Sequence, residues 1–158
     1  MARKVERPII FPLSNPTSRS EAKGEDLIRW TDGRALVATG SAFAPVTHGG
    51  RTTPIAQCNN VYIFPAMGLG VVACKAQRIT ASMMLAAARA LGANSPALKD
   101  PAASLLPPLT EIRRVAAEIA IAVGLEAQKD GVAPQRSEDK LRRRVQEAQW
   151  MPAYGAVG

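Results

Sequence analysis

Acidic residues are absent from the whole stretch between Gly33 and Lys99. A hard divalent cation needs carboxylate oxygens, and with a single histidine in the chain nothing there could hold one, so any metal must be liganded elsewhere. Aromatic residues make up only 4% of the sequence, which leaves little for base stacking on nucleic acid. Two cysteines, Cys58 and Cys74, allow neither a disulfide framework nor a four-cysteine zinc site, and reduced thiols are expected. No apolar run reaches the roughly 18 residues of a membrane span. The N-terminus carries basic residues but no apolar signal-peptide core, so the cytoplasm is the expected compartment.

What is present is a globular composition, 47% hydrophobic and 21% charged over 158 residues, enough for one domain with its own core. The formal charge of +7 is not clustered. Basic and acidic residues nearly balance before Gly33 and after Lys99, while Arg34, Arg51, Lys75, Arg78 and Arg89 stand singly in the acid-free middle. A dispersed cationic field suits an anionic small molecule as well as a polyphosphate backbone, and no nucleic-acid partner is expected.

The apolar run Arg7–Leu13, bounded by prolines and followed by Ser14-Asn15-Pro16-Thr17, predicts a buried parallel strand that delivers a polar loop. Residues 25–30 predict a short helix with acids in its first turn and a stop at Asp32-Gly33. A second strand is expected over 35–40, then a hairpin whose arms flank His48-Gly49-Gly50, with His48 a solvated tip residue. Gln57-Cys58-Asn59-Asn60 precedes a helix opening at Pro65. Two neighbouring carboxamides there could each offer a donor and an acceptor to a planar ligand, with the free N–H groups of the helix start aimed at the same place. An Asx-turn that satisfies only nearby backbone is the alternative.

Gly68-x-Gly70-x-x-Ala73 matches a loose dinucleotide fingerprint but lacks the acid about twenty residues on that would hold a ribose. Gly68 and Gly70 are better read as close-packing positions on a buried helix. Thr80, Thr110 and Ser137 are expected to cap three further helices. Met83 and Met84 are expected in the core, and Ile112, Val115, Ile119 and Val123 form a packing stripe. Leu141, Val145 and Trp150 share one side of the last helix, and Arg142-Arg143-Arg144 reads as a solvated face.

Five ordered motifs carry a family resemblance: Pro8-Ile9-Ile10-Phe11 to Ser14-Asn15-Pro16-Thr17, Trp30-Thr31-Asp32-Gly33, Ala38-Thr39-Gly40-Ser41, Gln57-Cys58-Asn59-Asn60 and Ile63-Phe64-Pro65. In this order and spacing, from about Arg7 to Tyr154, the chain resembles the C-terminal, NAD-binding part of malic enzymes, most closely the bacterial NAD-dependent kind. The resemblance implies an α/β fold, a partial Rossmann-type parallel sheet with a β-hairpin followed by C-terminal helices. Residues 1–76 would be the distal part of the NAD-binding domain, and residues 77–158 a helical segment completing it. The implied chemistry is oxidative decarboxylation of malate to pyruvate with NAD and a divalent metal, Mg2+ or Mn2+ in the full-length enzyme. By resemblance Asn15 and Asn60 contact the substrate and Asn59 the nicotinamide carboxamide.

The family's catalytic tyrosine and lysine, its acidic metal ligands and its phosphate-binding loop have no counterpart in this chain, which is therefore expected to be inactive alone. The implied partners are malate, NAD, the N-terminal part of the enzyme and further copies in a homo-oligomer. Ala66, Ala42 and Gly24 depart from the family's usual glycine, proline and proline. A malolactic enzyme, which shares these motifs, and a non-catalytic interaction module remain as alternatives.

Overall fold

The structure, a computed structural model, describes residues 2–150. The chain forms two compact units, one from the residues up to Val61 together with Gly92–Leu109, the other from Tyr62–Leu91 together with the residues from Thr110 on.

The first unit is built on three short parallel strands, β1 (Ile9–Ile10), β2 (Leu36–Thr39) and β5 (Ala56–Gln57), in the order β1-β2-β5. Ile9 pairs with Leu36 and Ile10 with Val37, while Ala38 pairs with Ala56 and Thr39 with Gln57. The hairpin β3 (Val46–His48) and β4 (Arg51–Thr53) is antiparallel, and its Gly49 and Gly50 both have positive φ (56 and 76). That conformation costs glycine nothing.

Between β1 and β2 runs α1 (Gly24–Trp30), with Glu25 and Asp26 in its first turn. Leu27 and Ile28 of α1 pack with Ala35 and Val37, and the complete burial of Ile28 is worth about 1.5–3 kcal/mol. The helix ends as expected: Asp32 and Gly33 adopt positive φ (51 and 72), and the Gly33 N–H returns to the Ile28 carbonyl at 2.8 Å. Gly24 is buried against Ile55, whose Cγ1 would lie 3.1 Å from an added Cβ, so a side chain there would have to push Ile55 aside by a few tenths of an ångström.

The expectation of a buried strand at Arg7–Leu13 is half met. The strand is parallel, but Ile9, Phe11 and Leu13 are 45–56% exposed. Side chains alternate along a strand, so Pro8, Ile10 and Pro12 turn inward, Ile10 against the core beside α1, while Ile9, Phe11 and Leu13 face out. Among the described residues β1 is an edge strand paired with β2 alone.

The second unit is helical. It contains α2 (Phe64–Cys74), most of α3 (Ala81–Ala93), α4 (Ile112–Lys129) and α5 (Glu138–Ala148). Val115, Ile119 and Val123 recur at helical spacing on α4 and are fully buried, as are Leu141 and Val145 on α5. Gly70 permits α2 to approach α4: an added Cβ would stand 2.8 Å from the Ala120 carbonyl oxygen. Thr80 caps α3 through the Met83 N–H at 3.2 Å, and Ser137 caps α5 through the Lys140 N–H at 3.4 Å.

Five expectations here need correction. Gly68 is exposed, with nothing within 4 Å of an added Cβ, so only Gly70 is a close-packing position. Met83 is fully buried but Met84 is 62% exposed, since consecutive helical residues point about 100° apart. Thr110 caps nothing, because it lies inside a 3-10 turn, Leu109–Glu111, that runs directly into α4. Trp150 is exposed: the extended Gln149 ends α5, so helical spacing from Val145 no longer applies. Arg144 also departs from a purely solvated face, donating from Nε to the Ala73 carbonyl at 2.6 Å, whereas Arg142 pairs with Glu138.

Candidate functional site

Because β1, β2 and β5 run in one direction, their carboxyl ends lie along one edge, the edge at which open α/β sheets bind ligands. The ladder continues past the strands. The Gly40 N–H donates to the Pro12 carbonyl at 3.0 Å and the Cys58 N–H to the Thr39 carbonyl at 2.8 Å. Thr39, fully buried, donates its hydroxyl to the Ser41 carbonyl at 2.7 Å, which fixes the turn after β2.

Asn15 lies in the loop after β1 and is exposed. Its Oδ1 accepts a hydrogen bond from Ser41 Oγ at 2.5 Å, tying the loop after β1 to the loop after β2. Ser41 was not singled out from the sequence. The available signal was a small polar pair, Gly40-Ser41, placed at the end of a buried strand. Gly40 is there for space: an added Cβ would stand 2.2 Å from the Leu13 carbonyl oxygen and 3.1 Å from Asn15 Nδ2.

Asn59 and Asn60 lie in the loop that follows β5. The Asn59 Oδ1 accepts from the Val61 N–H at 3.0 Å, an Asx-turn that opens the 3-10 turn Asn60–Tyr62. The turn reading is therefore realised for the oxygen of Asn59, while its NH2 group keeps two donors. Asn60 is exposed. The two amides Asn15 and Asn59 thus share a feature: each spends its oxygen on a neighbouring group of the protein and retains its N–H donors. An amide N–H donor can bond a carbonyl or carboxylate oxygen, and a carboxamide performs no acid-base chemistry.

Cys58, which precedes Asn59, is half-buried, and burial pushes its thiol above the ordinary cysteine value. It stays protonated near neutrality and is a poor nucleophile. The fingerprint glycines lie inside α2 rather than in a strand-to-helix loop, so that motif is no phosphate cradle. The helix expected near Pro65 begins at Phe64, in the second unit. Among the described residues no group of three or more His, Cys, Asp or Glu is placed to hold a metal ion, and no helix is long and apolar enough to cross a membrane.

His48 corrects another expectation. It closes β3 rather than standing free at the tip, and its Nε2 lies 2.9 Å from Asp32 Oδ1. That hydrogen bond, with the electrostatic influence of His48 and Arg34, holds the Asp32 carboxyl below the usual aspartate value.

Comparison with known proteins agrees with this architecture. A family profile described as "Malic enzyme, NAD binding domain" matches residues 1–128. The NAD-dependent malic enzyme of Pseudomonas savastanoi pv. phaseolicola (strain 1448A / Race 6) is 55% identical over 150 residues, covering 95% of this chain and 27% of that protein. Among solved structures, the Entamoeba histolytica malic enzyme superposes with a TM-score of 0.68 at 25% identity, over 90% of this chain and 28% of that one. The malic enzyme of Pyrococcus horikoshii Ot3 gives 0.65 at 28% identity, over 89% and 29%. The chain spans about a quarter of the length of the curated relatives it matches. With a matching profile over most of its residues and the expected parallel sheet in place, the chain belongs to the malic enzyme family, within its NAD-binding domain.

Proposed function

We propose that this chain supplies amide contacts to malate and NAD in an NAD-dependent malic enzyme, which oxidises malate by hydride transfer and releases carbon dioxide to leave pyruvate. The supporting observation is the pair of carboxamides at the carboxyl edge of the parallel sheet, Asn15 and Asn59, each with its oxygen engaged and its donors retained. Asn15 and Asn60 bind the carboxylate and hydroxyl oxygens of malate, and Asn59 donates to the nicotinamide carboxamide. Bound NAD supplies the hydride acceptor. These residues position the reactants and exclude alternative orientations; none of them moves a proton.

The donor set among the described residues does not fit Mg2+ or Mn2+, so the metal of the whole enzyme takes its ligands from other segments, and no step here runs through it. For the same reason, and for want of a general base in the amide cluster, the isolated chain does not turn over malate. The outward row Ile9, Phe11 and Leu13 supports a partner surface, covered in the full-length enzyme by its N-terminal part or by another copy in a homo-oligomer. The division into a distal NAD-binding part, residues 1–76, and a completing helical segment, residues 77–158, belongs to the same proposal, as does a cytoplasmic location.

The test is steady-state kinetics of the full-length enzyme carrying these residues. Losing one desolvated amide contact costs about 1–3 kcal/mol, so Asn60→Ala and Asn15→Ala should each lower kcat/KM for malate by roughly one to two decades. Asn59→Ala should raise the KM for NAD instead. Malate-dependent NADH formation by the purified 158-residue chain, abolished by Asn60→Ala, would overturn the proposal that the chain is incomplete. Unchanged kinetics in all three variants would remove the amides from the site.

A further inference from the structure

The amino ends of the same strands carry a concavity, on the edge opposite the amides. It encloses about 450 Å3 and is lined by Glu6 and Arg7 before β1, Asp32 and Arg34 before β2, and His48 and Arg51 of the hairpin. A volume of this order is that of a small-molecule site, ~300–1,000 Å3. All of its lining residues lie in the first unit.

Three arginines thus line one cavity, although Arg34 and Arg51 look like isolated charges in the sequence. No ion pair among the described residues involves Arg7, Arg34 or Arg51. Two of them are instead held by neutral backbone. Arg34 donates from Nη1 to the Glu6 carbonyl at 2.7 Å and from Nη2 to the Ala2 carbonyl at 3.4 Å, and Arg7 donates to the Pro101 carbonyl. A carbonyl restrains a guanidinium without neutralising it, and a fork of five donors has more to offer than one or two such bonds consume. Of the two carboxylates, Asp32 is engaged by His48 at 2.9 Å, leaving Glu6 as the other acid at the cavity.

We propose that this cavity binds a phosphoryl dianion, free or as a monoester of a small organic molecule. Three arginines from three segments offer charged donors to the acceptor oxygens of a phosphoryl group, and the apolar residues Leu36 and Leu105 of the lining can cover an organic body. Because Arg7 and Arg34 are already restrained, binding orders little more than Arg51 and loses little side-chain entropy. The site is separate from the amide edge and does not depend on the proposed activity there.

The experiment is calorimetric titration of the 158-residue chain at constant ionic strength, with ribose 5-phosphate in one arm and inorganic phosphate in the other. Saturable binding is expected, weakened at least tenfold by Arg51→Gln. The exposed Arg51 side chain makes no hydrogen bond or ion pair among the described residues while its backbone pairs with His48 in the hairpin, and circular dichroism should confirm an unchanged fold. Arg51→Lys should retain part of the affinity. Tighter binding of the ester identifies an organic phosphate as the ligand, and equal binding identifies free phosphate. Absence of saturation in both arms, or affinity unchanged in Arg51→Gln, overturns the proposal.

Discussion

Replacing Gly40 with alanine tests whether close packing at the end of β2 shapes the amide edge. Gly40 does not have positive φ, so its backbone conformation would accept alanine, and the objection to a side chain is steric. The new methyl would stand 2.2 Å from the Leu13 carbonyl oxygen and 2.7 Å from its carbon. Backbone must therefore retreat by about 0.8 Å merely to reach 3.0 Å, and the 3.0 Å bond from the Gly40 N–H to the Pro12 carbonyl opposes that shift. Overpacking against backbone costs about 1–3 kcal/mol, partly offset by the ~0.4–1 kcal/mol alanine gains through the unfolded chain. For a chain of this size the melting temperature should fall by about 2–4 °C per kcal/mol lost.

Gly68→Ala is the matched control. Gly68 sits inside α2 with nothing within 4 Å, so alanine should stabilise by roughly 1 kcal/mol. Thermal unfolding followed by circular dichroism is the appropriate assay, since both tryptophans, Trp30 and Trp150, are already exposed and report poorly on unfolding. The reasoning fails if Gly40→Ala melts with the wild type, or if both variants are destabilised alike. In the full-length enzyme the same retreat moves the Leu13–Asn15 segment, and a displacement approaching 1 Å can cost on the order of 100-fold in kcat/KM.

Leu141→Ala on α5 should cost about 2–5 kcal/mol, because Leu141 is fully buried and its Cδ2 would lie 2.8 Å from a Cβ at Gly124; urea denaturation measures it. Gly124→Ala should be destabilising for the converse reason, by about 1–3 kcal/mol, unless Leu141 is shortened in the same chain, and a double-mutant cycle in urea reads that coupling. Hydrogen bonds from Ser82 and Thr80 hold the Asp130 carboxyl below the ordinary aspartate value. A group whose folded pKa is lowered contributes stability that is complete above its unfolded pKa, near 4, and is lost as pH falls through the folded value. Asp130→Asn should therefore flatten the dependence of the urea midpoint on pH below about 4 while leaving its slope at neutral pH unchanged.

Element existence was legible because it depends on local chemistry. Glu25 and Asp26 before a Gly33 stop announce α1, Gly49-Gly50 announces the hairpin, and the spacing of Val115, Ile119 and Val123 announces α4. The family was legible for a related reason, since five short motifs keep their order along the chain. By itself the sequence also determined that Asn59 and Asn60 would have no acid beside them along the chain, since none occurs between Gly33 and Lys99; only the fold shows that the Glu21 carboxylate bonds Ser14, the neighbour of Asn15.

Tertiary structure decided everything that depends on a neighbour distant in sequence. Periodicity identifies an apolar face but not whether anything covers it, which is why Ile9, Phe11 and Met84 are exposed. A glycine motif does not say which glycine meets another helix; Gly70 does, because Ala120 lies against it, and Gly68 does not. The bond from Ser41 to Asn15 joins residues from two loops, and the cavity gathers Arg7, Arg34 and Arg51 from three segments. Parallel pairing of β1, β2 and β5 is what sends the amides to one edge of the sheet and the guanidiniums to the other.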